Sequence, residues 1–233
     1  MKYNSIVQGV FKSRPNRFIA YVEIDGVQET VHVKNTGRCK ELLVPDAHVI
    51  LEVSDNPSRK TKYDLISVYK DKTGLINMDS QAPNKVVGEW LNNQKGKLKY
   101  FNNITFIKPE YTYGNSRIDF YFEYSGKKAL MEVKGVTLEK NGTAYFPDAP
   151  TLRGIKHLKE LERAVNEGYE SYVAFVIQME GVDYVYPNMD THPEFGYTLE
   201  RVKAAGVKVL NLGCRVEEDS ILINRINIKQ NVE

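Results

Sequence analysis

A β-hairpin sequence between Arg117 and Val136, with three charged residues among apolar ones, most limits how this chain can fold. Two runs rich in β-branched and aromatic residues flank Ser125-Gly126, a dipeptide typical of tight turns. In the second run Glu132 and Lys134 occupy alternate positions, and alternate side chains of a strand share one face. Because an unpaired charge is costly to bury, the hairpin must lie where its charges find partners.

The register of the hairpin follows from its turn. Whether the loop has two residues or four, Asp119 falls opposite Glu132, and residues so placed have Cβ atoms roughly 4.5 to 5.5 Å apart. Two carboxylates at that distance repel each other unless they share a proton or bind a cation. Mg²⁺ often uses only one or two protein carboxylates, with water and substrate phosphate completing its shell, and Lys134 would then face an anion. The alternative is an exposed hairpin face with solvated ion pairs, and the spacing alone leaves both open.

Length and charge bound what the hairpin can belong to. A chain of 233 residues forms one large domain or two small ones, and its net charge of +2 requires any basic surface to be local. Cys39 and Cys214 have no neighbouring ligands at zinc spacing, which is typical of reduced thiols in a cytoplasmic protein. The N-terminal residues have no signal-type apolar stretch, and the longest apolar run, Tyr172 to Ile177, is too short to cross a bilayer. We therefore expect a cytoplasmic protein without a membrane partner.

The N-terminal region, residues 1–78, has the pattern of a small β-barrel. Short β-rich runs are separated by turn signals such as Asp25-Gly26, and Gly74 is predicted to close the module. Five short strands in about 75 residues favour an OB-like barrel, a fold that often binds oligonucleotides. The predicted strands are Ser5 to Lys12, Phe18 to Ile24, Glu29 to Val33, Val49 to Val53 and Tyr63 to Tyr69.

Basic and aromatic residues alternate near the first turns of this barrel. Cations that follow a phosphate backbone, next to aromatic rings that stack on bases, are typical of single-strand binding surfaces. The alternative is that the aromatic residues are core and the basic ones only solubilise the protein. The basic residues are Lys12, Arg14, Arg17, Lys34, Arg38 and Lys40, and the aromatic ones are Phe11, Phe18 and Tyr21.

From residue 79 onward the pattern changes to alternating helices and strands. Pro83 begins a predicted helix over Ala82 to Asn93, with Glu89 off its apolar face as a weak candidate ligand. A polar loop over Gln94 to Lys99 and a strand over Ile104 to Ile107 precede the hairpin. After Ser171 to Gln178, a buried strand, the chain continues as a loop and helix over Pro193 to Ala205, a strand over Val207 to Leu212, and a strand over Ile221 to Ile228 of unassigned pairing.

A further helix follows the hairpin, with Asp148 or Thr151 as its cap. If its polar face looks toward the hairpin, Arg153 and Lys156 can bind phosphates; if it looks outward, they are surface residues, and the sequence leaves both open. His157 lies at the edge of that face. The predicted apolar face consists of Leu152, Ile155, Leu158, Leu161 and Val165, and the polar face of Arg153, Lys156 and Glu160.

This order of elements resembles the PD-(D/E)-x-K nuclease superfamily, whose α-β-β-β-α-β core places two acidic residues and a lysine at one metal site. Ile118 stands where that superfamily often has proline. The chain is also similar to the sugar fermentation stimulation protein A (SfsA) family. The segments that carry this resemblance are Phe11-Lys12-x-Arg14-x-x-Arg17-Phe18, Asn35-Thr36-Gly37-Arg38, Ser116-Arg117-Ile118-Asp119-Phe120, Met131-Glu132-Val133-Lys134-Gly135-Val136 and Phe146-Pro147-Asp148-Ala149-Pro150-Thr151-x-Arg153-Gly154-x-Lys156-His157-Leu158.

The resemblance implies an N-terminal OB-like barrel (1–78), a restriction-endonuclease-like α/β domain with a mixed sheet (79–233), and DNA binding. We predict a metal-dependent nuclease-like site in which Asp119, Glu132 and the carbonyl of Val133 hold Mg²⁺ or Mn²⁺. Lys134 would orient the attacking water or stabilise charge on the phosphate. Glu89, Asp148 and His157 are weaker candidates for the same site. The residues predicted to hold the nucleic acid are Lys12, Arg14, Arg17, Arg38, Arg153 and Lys156.

Other interpretations stay open at this point. The site could be a vestigial one in a DNA-binding regulator linked to sugar metabolism that never cuts. RNA is an alternative to DNA, and a homodimer is an alternative to a monomer. A carbohydrate-acting enzyme would need paired carboxylates and aromatic platforms, and it leaves Lys134 and the basic segments without a role.

Overall fold

The computed structural model describes residues 1–35, 37–94 and 98–228, so part of the predicted Gln94 to Lys99 loop and the end of the second predicted domain lie outside it. The N-terminal strands are antiparallel neighbours in the order β3-β2-β1-β4-β5-β6, and a short parallel pairing of β3 with β5 closes the barrel. The strands are β1 (Ile6–Ser13), β2 (Ile19–Ile24), β3 (Val27–Val33), β4 (His48–Val53), β5 (Tyr63–Lys70) and β6 (Gly74–Asn77).

Alternation of apolar and polar residues builds the barrel interior. Val22, Val31, Leu51 and Leu65 are fully buried, because alternate side chains of each strand point inward. The predicted five-stranded OB-like barrel is confirmed. The prediction that Gly74 closes the module is wrong: with a positive φ of 86° it ends the turn after β5, and β6 then pairs back onto β5.

The second domain has a six-stranded sheet in the order β15-β14-β12-β9-β8-β7. β9, β12 and β14 run parallel, whereas β7, β8 and β15 pair antiparallel with their neighbours. The elements are α1 (Ala82–Asn92), β7 (Ile104–Tyr113), β8 (Ser116–Tyr124), β9 (Lys127–Val136), β10 (Glu139–Lys140), β11 (Thr143–Phe146), α2 (Leu152–Asn166), β12 (Glu170–Ile177), β13 (Val185–Pro187), α3 (Pro193–Ala204), β14 (Lys208–Glu217) and β15 (Ser220–Asn227).

Helices cover both faces of this sheet. Val86, Val87 and Trp90 of α1 pack on one face, and Ile155 and Leu158 of α2 pack on the other, together with α3. The predicted α-β-β-β-α-β order is observed as α1-β7-β8-β9-α2-β12. The tail strand β15, which had no assigned partner, pairs with β14.

Several local predictions need correction. Leu152 was placed on the apolar face of α2 but is 77% exposed, because it is the first residue of the helix and precedes the turn that reaches the sheet. β7 extends six residues beyond Ile107, since an edge strand tolerates Pro109. α3 begins at Pro193 itself, so the predicted loop at the start of the 193–205 segment is absent there and lies before residue 193. The small sheet β10-β11-β13 was not predicted, because it joins short segments about forty residues apart, such as Ala144 and Val185.

The barrel is held against the second domain by a buried polar contact. Gln178 at the end of β12 donates from Nε2 to Asn77 Oδ1 (2.9 Å) and to the carbonyl of Asp79 (3.1 Å). Lys70 of the barrel pairs with Glu139 at 2.5 Å. One of the clusters of buried apolar residues contains residues of both domains, such as Met78 of the barrel side and Ile177 of β12. In the part of the chain that is described, none of the helices has the length and apolar character needed to span a membrane.

Candidate functional site

The hairpin has the register that its turn predicts. Pairing runs from Tyr124 opposite Lys127 to Phe120 opposite Met131. One further step along both strands brings Asp119 level with Glu132. β9 lies inside the sheet between β8 and β12, and Glu132 is therefore only 2% exposed.

Asp119 is held by two hydrogen bonds. The backbone N–H of Val133 donates to its Oδ2 (2.7 Å), and the amide of Asn84 donates to its Oδ1 (2.8 Å). The backbone pairing of β8 with β9 ends at Phe120 and Met131. Just beyond that point the N–H of Val133 in β9 donates to the carboxylate of Asp119 and not to a backbone carbonyl of β8. Asn84 belongs to the first turn of α1 and was not predicted. Its only sequence signal is an amide off the apolar face of a helix that starts close to the hairpin.

The two oxygens of Glu132 have different surroundings. Oε1 accepts from Lys134 Nζ (2.5 Å) and also contacts Nδ1 of His157. Oε2 is buried and has no hydrogen-bond partner among the residues that the structure describes. A buried carboxylate oxygen without a donor is costly, unless a cation or a water molecule supplies what the protein does not.

The two carboxylates have pKa shifts in opposite directions. Burial raises the pKa of Asp119, the charge of Glu132 raises it further, and the bond from Val133 and the charge of Lys134 offset this only in part. Burial also acts to raise the pKa of Glu132, but the charge of Lys134 and the bond from His157 hold it below its ordinary value. The positive charge of Lys134 therefore stabilises mainly the charged form of Glu132, and the burial of the Asp119 carboxylate is compensated only in part.

This donor set suits a hard divalent cation. Nowhere in the described ranges do three or more His, Cys, Asp or Glu side chains form a ready metal cluster. Mg²⁺, Mn²⁺ and Ca²⁺ accept one or two carboxylates together with carbonyl and water oxygens. Asp119 and the free Oε2 of Glu132 fit that requirement. The carbonyl of Val133 stays a predicted third ligand.

The first turns of α2 face the hairpin. His157, a weaker candidate from the sequence, is buried and in direct contact with Glu132. Arg153 lies one helical turn earlier and donates from Nε to His157 Nε2 (3.4 Å). Lys156 donates to the carbonyl of Asn115 (2.6 Å), in the turn between β7 and β8. Arg153 and Lys156 are themselves exposed, whereas His157 faces the hairpin, so the helix presents only the edge of its polar face to the site.

The basic residues of the barrel divide into two groups. Arg14 donates four hydrogen bonds to the carbonyls of Asn35, Gly37, Arg38 and Arg17, so its Nη groups hold turns together. Arg14 thus stabilises these turns, and its predicted contact with phosphate stays a prediction.

Two other barrel residues are also structural. Lys34 is half-buried and pairs with Glu52 and Asp79. Phe11, predicted as a stacking residue, is buried in the core because its side chain faces the barrel interior.

The other group is exposed and lines a groove of 430 Å³ on the barrel. Arg17 lies over the ring of Phe18 at 5.1 Å, and Phe18 is 46% exposed. Arg38 and Lys40 are exposed on the same groove. Lys12 also lines it and pairs with Asp46 at 3.2 Å.

Two weaker candidates lie apart from the carboxylate pair. Glu89 pairs with the N-terminal ammonium of Met1 (2.6 Å), so it is not a ligand of this site. Asp148 is exposed in a cleft of 340 Å³ between the barrel and the second domain, beside Gly37. Gly135, which follows Lys134, lines the same cleft. The cleft therefore adjoins β9, the strand that carries Glu132 and Lys134. Asp148 lines this cleft and is not part of the carboxylate pair.

Known proteins resemble the chain along most of its length. Two family models match it: the SfsA N-terminal OB domain over residues 13–78, and the sugar fermentation stimulation protein RE domain over residues 81–220. A sugar fermentation stimulation protein homolog of Clostridium beijerinckii is 58% identical over 96% of both chains. One from Desulfitobacterium hafniense strain DCB-2 is 58% identical over 95% of this chain and 94% of its own. The solved structure of Pyrococcus furiosus SfsA in complex with Ca²⁺ has a TM-score of 0.86 at 25% identity, covering 97% of this chain and 96% of that one.

Proposed function

The chain belongs to the sugar fermentation stimulation protein family, and from that premise we propose that it is a cytoplasmic DNA-binding protein that hydrolyses phosphodiester bonds at the hairpin site. The observation that carries the proposal is the buried Oε2 of Glu132, which has no hydrogen-bond partner among the described residues. The charge of Glu132 also acts on the second carboxylate, Asp119, and raises its pKa. Two carboxylates and a lysine on adjacent strands are what metal-assisted phosphodiester hydrolysis requires.

Asp119, Glu132 and the carbonyl of Val133 are the residues that would hold Mg²⁺ or Mn²⁺. Such an ion, when bound, lowers the pKa of a water molecule and offsets negative charge on the phosphate. The P. furiosus relative was solved in complex with Ca²⁺, which also prefers oxygen ligands, and this supports a divalent cation in the family. Asn84 keeps Asp119 in place through its amide, and the N–H of Val133 fixes the other oxygen.

Lys134 supplies positive charge next to the reacting phosphate. Its side chain is 15% exposed, so its ammonium is partly accessible although it pairs with Glu132. A phosphate that enters the site can take one of its three N–H groups while another stays on Glu132. The interaction matters most as negative charge develops on the phosphate oxygens, which is where a fixed cation contributes to the rate.

DNA binding is attributed to two exposed basic surfaces. The barrel groove offers Arg17 and Arg38, with the exposed ring of Phe18 under Arg17. Helix α2 offers the exposed Lys156 and Lys159, of which Lys156 reaches the turn between β7 and β8. Cations that contact phosphates give affinity independent of sequence that falls with salt, and an exposed ring can stack on a base of a single strand. RNA is the alternative substrate for the same surfaces.

The test is cleavage of single- and double-stranded DNA and RNA in the presence of Mg²⁺ or Mn²⁺. Asp119→Asn and Lys134→Ala are expected to abolish cleavage, and EDTA to stop it in the unchanged protein. Glu89→Gln, which alters an exposed carboxylate on α1, is the matched control and is expected to cleave normally. Cleavage that persists in both site variants would overturn the proposal.

A second function is a DNA-binding regulator that does not cut. The observation that favours it is the close pairing of Lys134 with Glu132, which occupies the lysine that catalysis needs. In that case every substrate would be bound with salt-sensitive affinity and none would be cleaved. Binding that is unchanged in Lys134→Ala, together with no turnover by the unchanged protein, would favour the regulator, and its link to sugar metabolism would rest on the family alone.

A further inference from the structure

His157 lies between two charged residues and is itself buried, with 4% of its surface exposed. Its Nδ1 contacts Oε1 of Glu132, and its Nε2 is 3.4 Å from Nε of Arg153. An arginine can only donate, so Nε2 must accept. An ionised carboxylate can only accept, so Nδ1 must carry the ring proton. Both neighbours thus require the same neutral tautomer.

The contact with His157 makes the two oxygens of Glu132 unequal. Oε1 receives the N–H of His157 and an N–H of Lys134, whereas Oε2 receives none from the described residues. Because the two oxygens of a carboxylate are equivalent, a half-turn of the group would restore the same arrangement, with one oxygen on the two donors. The surroundings therefore pair one oxygen of Glu132 and leave the other free for a ligand.

The cap and the close packing at the start of α2 fix the positions of Arg153 and His157. Thr151 caps the helix by accepting from the N–H of Gly154 at 2.9 Å. A Cβ at Gly154 would lie 2.9 Å from Thr151 and 3.3 Å from Phe195, so the helix packs closely there. Residues 153 and 157 are four apart, and helix geometry puts such residues next to each other on one face.

We infer that His157 is a positioning residue, anchored by Arg153, that holds Glu132 so that its Oε2 is free to bind the metal ion. This inference rests on the metal site of the proposed function. It gives Arg153 the role of holding His157, whereas the sequence had suggested that Arg153 contacts a phosphate. Carboxylates that bind metals are commonly held by hydrogen bonds from such outer partners, whose loss weakens metal affinity about 10- to 100-fold.

The test compares His157→Asn with His157→Gln. An asparagine amide nitrogen occupies nearly the position of ring Nδ1 and can still donate to Glu132, whereas a glutamine amide nitrogen corresponds to Nε2 and points away from it. Mn²⁺ affinity is measured by isothermal titration calorimetry, and the bound ion by electron paramagnetic resonance. We expect about a 10- to 100-fold loss of affinity for His157→Gln and near-normal affinity for His157→Asn.

Thermal unfolding of the metal-free variants checks that both are folded. Equal and normal Mn²⁺ affinity in both variants would overturn the inference, because His157 would then have no effect on the site. Equal loss in two folded variants would also overturn it, since the donor at Nδ1 would not be what matters. If the unchanged protein binds no Mn²⁺ at all, the metal site of the proposed function fails first, which is a distinguishable result.

Arg153→Ala gives an independent test at an exposed position that tolerates truncation. We expect a smaller loss of Mn²⁺ affinity than in His157→Gln, because the imidazole keeps its contact with Glu132. If the variant binds DNA more weakly without metal and binds Mn²⁺ normally, Arg153 contacts phosphate and does not act through His157.

Discussion

Two of the buried acidic clusters in the described structure use similar residues and differ in what is left unpaired. In the barrel, Asp64 accepts from both Nη groups of Arg59 (2.6 and 2.8 Å) and contacts Nδ1 of His32 (2.8 Å). In the second domain, Glu132 has a lysine and a histidine on one oxygen, and its other oxygen has no partner in the described structure. The first cluster is complete within the protein, whereas the second requires something that the protein does not contain.

The pKa shifts follow this difference. Burial acts to raise the pKa of Asp64, but the bonds from Arg59 and His32 outweigh it and the pKa lies below its ordinary value. Burial raises the pKa of Asp119 and its partners do not compensate. A fully paired carboxylate contributes to stability at neutral pH, and an uncompensated one reduces it. At neutral pH Asp64 therefore adds to the stability of the fold and Asp119 reduces it, whereas Glu132, whose pKa is lowered like that of Asp64, does not oppose the fold.

The largest expected effect comes from removing the charge of Glu132. We expect Glu132→Gln to lower Mn²⁺ affinity more than about 100-fold, because a direct ligand contributes more than the outer partners do. Calorimetric titration measures this. Asp64→Asn makes the same change of charge in the barrel and is the control, with normal Mn²⁺ affinity. Normal binding by Glu132→Gln would erase the proposed distinction between the two clusters.

Next in size is the loss of stability in Asp64→Asn. We expect the free energy of unfolding to fall by roughly 1.5 to 3 kcal/mol, the contribution of hydrogen bonds to charged groups, because Arg59 and His32 lose an anionic acceptor. Urea denaturation of the metal-free protein measures it. Asp119→Asn is expected not to lower stability in the same way, since it removes a poorly compensated buried charge. Equal destabilisation by both variants would contradict the comparison.

Smaller effects with opposite signs are expected from pH, because each pKa unit corresponds to about 1.4 kcal/mol. The folded-state pKa of Asp64 lies below its ordinary 3.8, so its contribution is present above pH 3.8 and is lost as pH falls through the folded pKa. The folded-state pKa of Asp119 lies above 3.8, so its contribution is present below pH 3.8 and is lost as pH rises through the folded pKa.

Denaturation of the metal-free protein at several pH values measures these contributions against Asp64→Asn and Asp119→Asn. The unchanged protein should gain stability over Asp64→Asn as pH rises from below 3.8, and lose stability relative to Asp119→Asn as pH rises above 3.8. If both differences in the free energy of unfolding changed in the same direction as pH rises, Asp64 and Asp119 would not differ in the way described.

The smallest effect is expected at Glu89. Its carboxylate is 59% exposed and pairs with the N-terminal ammonium, so Glu89→Ala should change stability by less than about 1 kcal/mol. Mn²⁺ affinity should be unchanged. A clear loss of metal binding in this variant would mean that a carboxylate far from the hairpin influences the site, and the contrast between clusters would need another explanation.

Much of the site could be predicted because it depends on one turn. The loop at Ser125-Gly126 sets the register, and the register places Asp119 level with Glu132 with Lys134 on the same strand. The strands of the barrel and the order of elements in the second domain follow from local alternation and helical spacing in the same way. The exceptions, such as β6 and the sheet β10-β11-β13, are short segments whose pairing has little local signal.

The partners of the carboxylates could not be predicted, because they come from helices on opposite faces of the sheet. Asn84 reaches Asp119 from α1, and His157 reaches Glu132 from α2. Arg14 resembled other exposed arginines in the sequence, and only the folded turns bring four carbonyls around it. Such contacts depend on how elements pack, which neighbouring residues do not specify.

The sequence by itself determined the barrel, the core topology and the presence of two carboxylates and a lysine on one hairpin, because strand register and periodicity act over short distances. Only the tertiary structure decided which of those charges are satisfied. It directs His157 and Lys134 to one oxygen of Glu132 and leaves the other without a donor among the described residues, because the donor of α2 reaches β9 from one side only.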